Sequence, residues 1–238
     1  IKNLVIEEAV RLGKYAEVFS SADMAEQDSV ESGMGSEEDQ NASDTPEFDD
    51  ETPFSVDWND HCTPRTKYRI AKRILSDSSA KPKQIANAVL WLTQAAEAGL
   101  GYAQYALGKL YRDGGPVEQD MLKAVIWFSQ AAEQDNEYAM YALGKFYQEA
   151  DAPAKALRWF QRSAELGNQF AQYRLGKLLL SGDGVTKDVE GAVHWLTKSA
   201  RQGNQYAQYA LGKLYLLGKD IPQDRNAANR WFSLAAEQ

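Results

Sequence analysis

Two residue ladders run through this chain in step. Glycines stand at Gly108, Gly144, Gly176 and Gly212, separated by 36, 32 and 36 residues. Tryptophans stand at Trp91, Trp127, Trp159, Trp195 and Trp231, separated by 36, 32, 36 and 36. Both ladders share the one short step, so they mark a single repeating unit. The words around the glycine repeat with it: YALGKLY from Tyr105, YALGKFY from Tyr141, YRLGKLL from Tyr173 and YALGKLY from Tyr209. A period of this size signals a stacked array. A unit of about 36 residues cannot bury its own apolar face, so neighbouring units must supply the core.

Each unit holds two helical patterns. The first, as in Tyr206–Leu217, places Ala207, Leu211, Leu214 and Tyr215 on one side, an i, i+4, i+7, i+8 stripe. The repeated glycine falls inside this helix, where it costs about 1 kcal/mol relative to alanine. Its recurrence predicts close approach of a facing helix. The second pattern, as in Val189–Arg201, carries Ala192, Trp195, Leu196, Ser199 and Ala200. Its small residues admit the neighbour, and its tryptophan is expected to fill the space between units.

The punctuation agrees. Asp120, Asp188 and Asp224 each lie seven residues before a ladder tryptophan, at a natural N-cap. In the short unit Ala152 takes that place and Pro153 follows at the favoured first helical position. Gly99, Gly167 and Gly203 follow second helices, as C-terminal caps do, whereas Asp135 replaces glycine and predicts a looser end. A worn first unit is readable upstream: Tyr68–Leu75 spells YRIAKRIL, with Ala71 in place of the glycine. Five units result, about 64–99, 100–135, 136–167, 168–203 and 204–238. The last stops just before its expected glycine, so the array is expected to continue in a longer parent chain. The start without methionine points the same way.

The pattern A-x-x-x-L-G-x-x-Y, a Gly-rich loop, then D-x-x-x-A-x-x-W-x-x-x-A-A-x-x-G resembles the Sel1-like repeat family, relatives of the tetratricopeptide repeats. It covers about three quarters of the chain, and recurrence in register makes it specific. The resemblance implies an all-α fold, an α/α superhelical solenoid whose first helices line the concave side. It also implies a role as adaptor or scaffold. The wording GNQYAQYALGKLYL from Gly203 is similar to the Sel1-repeat tails of some bacterial plasmid-mobilisation proteins, relaxases among them. The relaxase signature, clustered histidines with a nucleophilic tyrosine, has no counterpart here.

Charge is divided along the chain. The net −8 combines three acids and three bases in residues 1–20, fourteen acids and no base in residues 21–60, and a net +6 over the remainder. Residues 1–20 read as an amphipathic helix, with Ile1, Val5, Ala9, Leu12 and Ala16 at helical spacing. Residues 21–60, rich in Asp, Glu and Ser, read as an acidic low-complexity linker. It carries a few apolar side chains, Phe48, Phe54, Val56 and Trp58. Two roles stay open for it: a solvated spacer, or a segment that docks on the basic solenoid of its own or a neighbouring chain. Residues 61–238 form the repeat domain. With Cys62 alone no internal disulfide can form, and a reducing cytoplasm is the default. No signal peptide is read at the start, and no stretch approaches the length of a membrane span.

The register predicts a recognition face. Side chains at i, i+3 and i+7 of each first helix share one direction. These are Tyr102, Tyr105 and Lys109; Tyr138, Tyr141 and Lys145; Phe170, Tyr173 and Lys177; Tyr206, Tyr209 and Lys213, with Arg112 extending the ladder. Tyrosine combines wide apolar contact with a polar tip, which suits recognition. The lysines favour an acidic segment or a C-terminal carboxylate. For the inner column (Tyr105, Tyr141, Tyr173, Tyr209) two readings stay open, packing between adjacent first helices or contact with a partner. The outer column and the lysines lean toward binding.

Catalysis requires converging titratable groups, and the sequence offers none. His61 beside Cys62 makes two ligands, too few for zinc. His194 precedes Trp195 where other units place Leu90, Ile126, Arg158 and Arg230, as an ordinary helix residue would. No phosphate-binding loop or nucleophile elbow appears. The expectation is a non-enzymatic protein-interaction scaffold with no metal, cofactor or small-molecule substrate. Two alternatives are the accessory region of a plasmid-mobilisation protein and a nucleic-acid-binding solenoid. The overall acidity, pI about 4.9, argues against the last.

Overall fold

The computed structural model describes residues 62–237, all helix, turn and loop, with no strand among them. The amphipathic helix read at 1–20, the acidic segment 21–60 and His61 lie outside the described residues. Ten helices follow in order: α1 (Pro64–Leu75), α2 (Pro82–Glu97), α3 (Gly101–Asp113), α4 (Met121–Ala132), α5 (Glu137–Glu149), α6 (Pro153–Glu165), α7 (Gln169–Ser181), α8 (Val189–Arg201), α9 (Gln205–Leu217) and α10 (Arg225–Ala236). They pair as five hairpins, and the second helix of each of the first four also packs on the first helix of the next hairpin.

The boundaries follow from local chemistry. Asp120, Asp188 and Asp224 cap α4, α8 and α10, their carboxylates accepting from the backbone N–H groups of Lys123, Gly191 and Ala227. Asparagine does the same for first helices: Asn136, Asn168 and Asn204 accept from Ala139, Ala171 and Ala207, each at 2.9 Å. These satisfy amides that the first helical turn leaves without intrahelical partners. Gly99, Gly167 and Gly203 leave their helices at φ +90°, +109° and +92°. Asp135 holds the equivalent turn at +57°, a conformation costly for a side chain.

The core lies between units. Among the described residues, buried apolar clusters each span two adjacent hairpins. One runs from Ala71 through Leu92 to Leu107, another from Phe128 to Met140 and Leu143. Further along, Phe160 joins Leu175, and Leu196 joins Leu211. Burying a side chain of the size of Phe160 contributes about 2–3 kcal/mol, and no hairpin contains its whole cluster. Stability is therefore shared between neighbours.

The repeated glycines mark the tightest crossings. A Cβ on Gly108 would stand 2.7 Å from the Phe128 ring, on Gly144 2.5 Å from Phe160, on Gly176 2.7 Å from Leu196 and on Gly212 2.6 Å from Phe232. The plug at each crossing is the residue after the ladder tryptophan. Phe128, Phe160 and Leu196 are buried, while Trp127, Trp159 and Trp195 are only half-buried against the preceding cluster. Arg162 and Lys198 cover Trp159 and Trp195, at 5.3 and 4.7 Å from the ring centres.

A buried amide relay ties units together. Gln104 donates through Nε2 to the Ala96 carbonyl and accepts at Oε1 from Gln134 Nε2. Gln172 repeats this with Ala164 and Gln202, and Gln208 donates to Ala200. At the same place in the third unit stands Met140, and at the partner position Leu166.

Candidate partner-binding face

Aromatic contacts join successive first helices into one face. Tyr105 meets Tyr138 with ring centres 6.0 Å apart, Tyr141 meets Phe170 at 6.1 Å, and Tyr173 meets Tyr206 at 5.9 Å. The inner ring of each unit thus rests on the outer ring of the next. From behind, Phe128 and Phe160 support Tyr105 and Tyr141 at 5.8 and 6.0 Å. The aromatic ladder read from the sequence is a row of tilted ring pairs, one across each junction of these first helices, and its members differ in exposure.

Tyr105 and Tyr141 are 6% and 7% exposed, so their rings belong to the core. Burial pushes the Tyr105 hydroxyl well above its usual range, opposed by the nearby Arg112 charge. Tyr138, Phe170 and Tyr173 are half-buried. Tyr102 is exposed, as are Tyr206 and Tyr209, the last at 59%. Tyr209 rests on Phe232 at 5.6 Å. Lys109 and Lys145 are half-buried, while Lys177 and Lys213 are exposed. Lys177 Nζ lies 5.5 Å from the Tyr173 ring centre, so cation and ring form one composite surface. Arg112 is drawn aside by Asp113, with Nε–Oδ1 at 2.6 Å and Nη2–Oδ2 at 3.0 Å. Its charge is largely answered within the chain.

The face therefore changes along its length. Its first part has the inner tyrosines Tyr105 and Tyr141 sunk into the packing, with Tyr102 exposed beside them. Its last part, over α7 and α9, presents Tyr206, Tyr209, Lys177 and Lys213, with Leu216 and Leu217 exposed at the end of α9. Sequence reasoning named the aromatic and lysine positions but not this gradient, nor the terminal leucines. The signal was available only as the place of α9 in the series.

Elsewhere the chemistry is structural. Glu137 is raised by burial, against a hydrogen bond from the Tyr138 hydroxyl. Asp220 is held below the usual carboxylate range by Lys187, which reaches it at 2.7 Å from the preceding hairpin. His194 is an exposed residue of α8 with its ring edge-on to Trp195. No group of three potential metal ligands occurs among the described residues, and none of their helices is long and apolar enough to cross a membrane.

Sel1 repeats match residues 67–100, 101–136, 137–168, 169–204 and 205–238. The chain belongs to the Sel1 repeat family. Among solved structures it is similar to a protective antigen of uropathogenic Escherichia coli with an SLR fold. The identity is 32% and the TM-score 0.68, over 74% of this chain and 38% of the antigen. It is also similar to a Sel1 repeat protein from Oxalobacter formigenes, with 30% identity and a TM-score of 0.67 over 74% of this chain and 71% of that one. This chain thus spans well under half of the antigen. No curated protein matches it. Sel1 repeat proteins are typically protein-interaction scaffolds, and this chain has the repeat solenoid of that family.

Proposed function

We propose that this Sel1 repeat solenoid is a non-enzymatic scaffold that holds an acidic peptide or protein segment along its first-helix face. The binding residues are Tyr206, Tyr209, Lys177 and Lys213, with Phe170 and Tyr173 as the floor. The observation that carries the reading is the exposure of the outer tyrosines Tyr102 and Tyr206, the second resting on Tyr173 beside the exposed Lys177. Exposed tyrosines give contact area with little rotamer entropy to lose. Lysines beside them attract carboxylates and set orientation. Helices packed on both neighbours hold these groups in place before the partner arrives, which lowers the ordering cost of binding.

The test is fluorescence anisotropy of a labelled Asp/Glu-rich peptide bearing two aromatic residues, titrated with the full chain. Binding is expected at low salt and weakens as salt is raised. K177E/K213E is expected to abolish it, and Y206A/Y209A to weaken it about tenfold, equivalent to 1.4 kcal/mol. Binding that is absent, or indifferent to both double variants, would refute the reading.

A further inference from the structure

The most concentrated positive charge in the chain adjoins its most concentrated negative charge. Helix α1 carries Arg65, Lys67, Arg69, Lys72 and Arg73 and no acid. The residues leading into it, 21–60, hold fourteen acids and no base. Within that stretch, acids and large apolar groups alternate only near its end: Phe48-Asp49-Asp50-Glu51-Thr52-Pro53-Phe54-Ser55-Val56-Asp57-Trp58. This is the chemistry proposed above for a ligand of the aromatic–lysine face, present on the same chain.

The repeat register says where such a segment would fit. Tyr68 occupies in α1 the place of Tyr105 in α3, so Arg65 and Lys72 stand where Tyr102 and Lys109 stand. The first-helix face of the opening two units thus presents Arg65 and Lys72, both exposed, and the half-buried Lys109. Reach is sufficient. At about 3.5 Å per extended residue, the five residues from Trp58 to Thr63 span about 17 Å, and the nine from Phe54 about 30 Å. Packed helices lie about 10 Å apart. Trp58 can therefore reach the first two units and Phe54 the third, while the exposed end over α9 stays beyond both.

We infer that residues 48–58 dock in cis on the first-helix face of the opening units and act as a tethered competitor there. The assignment rests on the reading of that face as a site for acidic segments. A partner would then engage the later units at Lys177 and Tyr206 first and displace the segment as it extends toward α1. A short tether holds a ligand at a local concentration on the order of millimolar, so even weak docking competes with a free peptide.

The experiment compares the full chain with a full-chain variant carrying D49N, D50N, E51Q, F54A, D57N and W58A. The probe is a labelled peptide of residues 46–60, run beside the unrelated acidic peptide used above. With K177E/K213E added to both chains for this probe alone, so that the site over α7 and α9 cannot take it, the probe is expected to bind the variant about tenfold more tightly than the chain with an unaltered segment at low salt. Adding K72E/K109E to the variant is expected to remove that gain. Equal affinity for the two chains overturns the inference, and so does a probe that binds neither. The unrelated peptide separates the cases: if it still binds, only the tethered competitor fails, and if it does not, the reading of the face fails as well. Light scattering fixes the geometry. A monomer in both forms supports docking in cis, and a dimer that the variant dissolves overturns it in favour of a neighbouring chain.

Discussion

The second and fifth hairpins carry the same seven residues, YALGKLY, on α3 and α9, and put them to different use. Tyr105 is 6% exposed and Tyr209 is 59% exposed. Each rests on the phenylalanine of its own second helix, at 5.8 and 5.6 Å. The difference lies on the other side. Tyr105 also meets Tyr138 of the next hairpin, whereas among the described residues no following hairpin covers Tyr209. In a stacked array a side chain's role is set by its neighbour as much as by its own unit. Identical words therefore become core in one place and surface in another.

Truncating the tyrosine tests this most directly. Tyr141, 7% exposed between Phe160 and Phe170, is expected to cost about 3–4 kcal/mol as Tyr141→Ala, because a large cavity opens inside a two-unit cluster. Tyr209→Ala is expected to cost less than about 1 kcal/mol, as exposed truncations do. Urea unfolding followed by circular dichroism gives both values. Similar losses would mean that the exposure difference has no energetic content, and the distinction between the two ends would fall.

A smaller effect is expected at the crossings. Gly144→Ala raises helix propensity by about 1 kcal/mol but pushes a methyl group to 2.5 Å from the Phe160 ring, inside the contact limit. Overpacking of this kind costs about 1–3 kcal/mol, so a net loss of about 1 kcal/mol is expected in the same unfolding assay. In the first unit Ala71 already occupies this place, fully buried in a cluster with Leu92. Ala71→Gly should therefore gain nothing and lose about 1 kcal/mol of helix propensity. A stabilised Gly144→Ala protein would show that the crossing has room to spare.

These comparisons also show what the sequence could and could not convey. Helix pairs, turn glycines and aspartate caps were legible, because each depends on residues within a few positions of one another. The all-α solenoid followed from two ladders in phase. Exposure was not legible, since Tyr105 and Tyr209 sit in the same seven residues and only the stacked neighbour separates them. The tryptophans pack between units as expected, but the residue at the glycine crossing was not legible: the following side chain, Phe128, Phe160 or Leu196, fills it. The asparagine caps Asn136, Asn168 and Asn204 have a sequence signal too, as a residue recurring directly after the turn position.

The third unit supplies the subtlest comparison, because it differs from its neighbours by a matched pair. Gln104 with Gln134, and Gln172 with Gln202, form 2.8 Å side-chain bonds across the hairpin, and both inner amides also donate to a carbonyl of the preceding unit. Met140 and Leu166 replace both partners at once. Exchanging a whole hydrogen-bonded pair for an apolar one is nearly neutral, whereas exchanging half leaves the buried inner group without its bond. Met140→Gln alone should donate to Ala132 as its counterparts donate to Ala96 and Ala164, yet leave its oxygen facing Leu166. A loss of about 1–2 kcal/mol is expected. Leu166→Gln, at an exposed position, should be close to neutral by itself. Together they should recover about 1 kcal/mol relative to the sum of the single changes, a coupling that a double-mutant cycle measures directly. Strict additivity would mean that the paired glutamines of the second and fourth units sit side by side without depending on each other, and the third unit would then differ from them in composition alone.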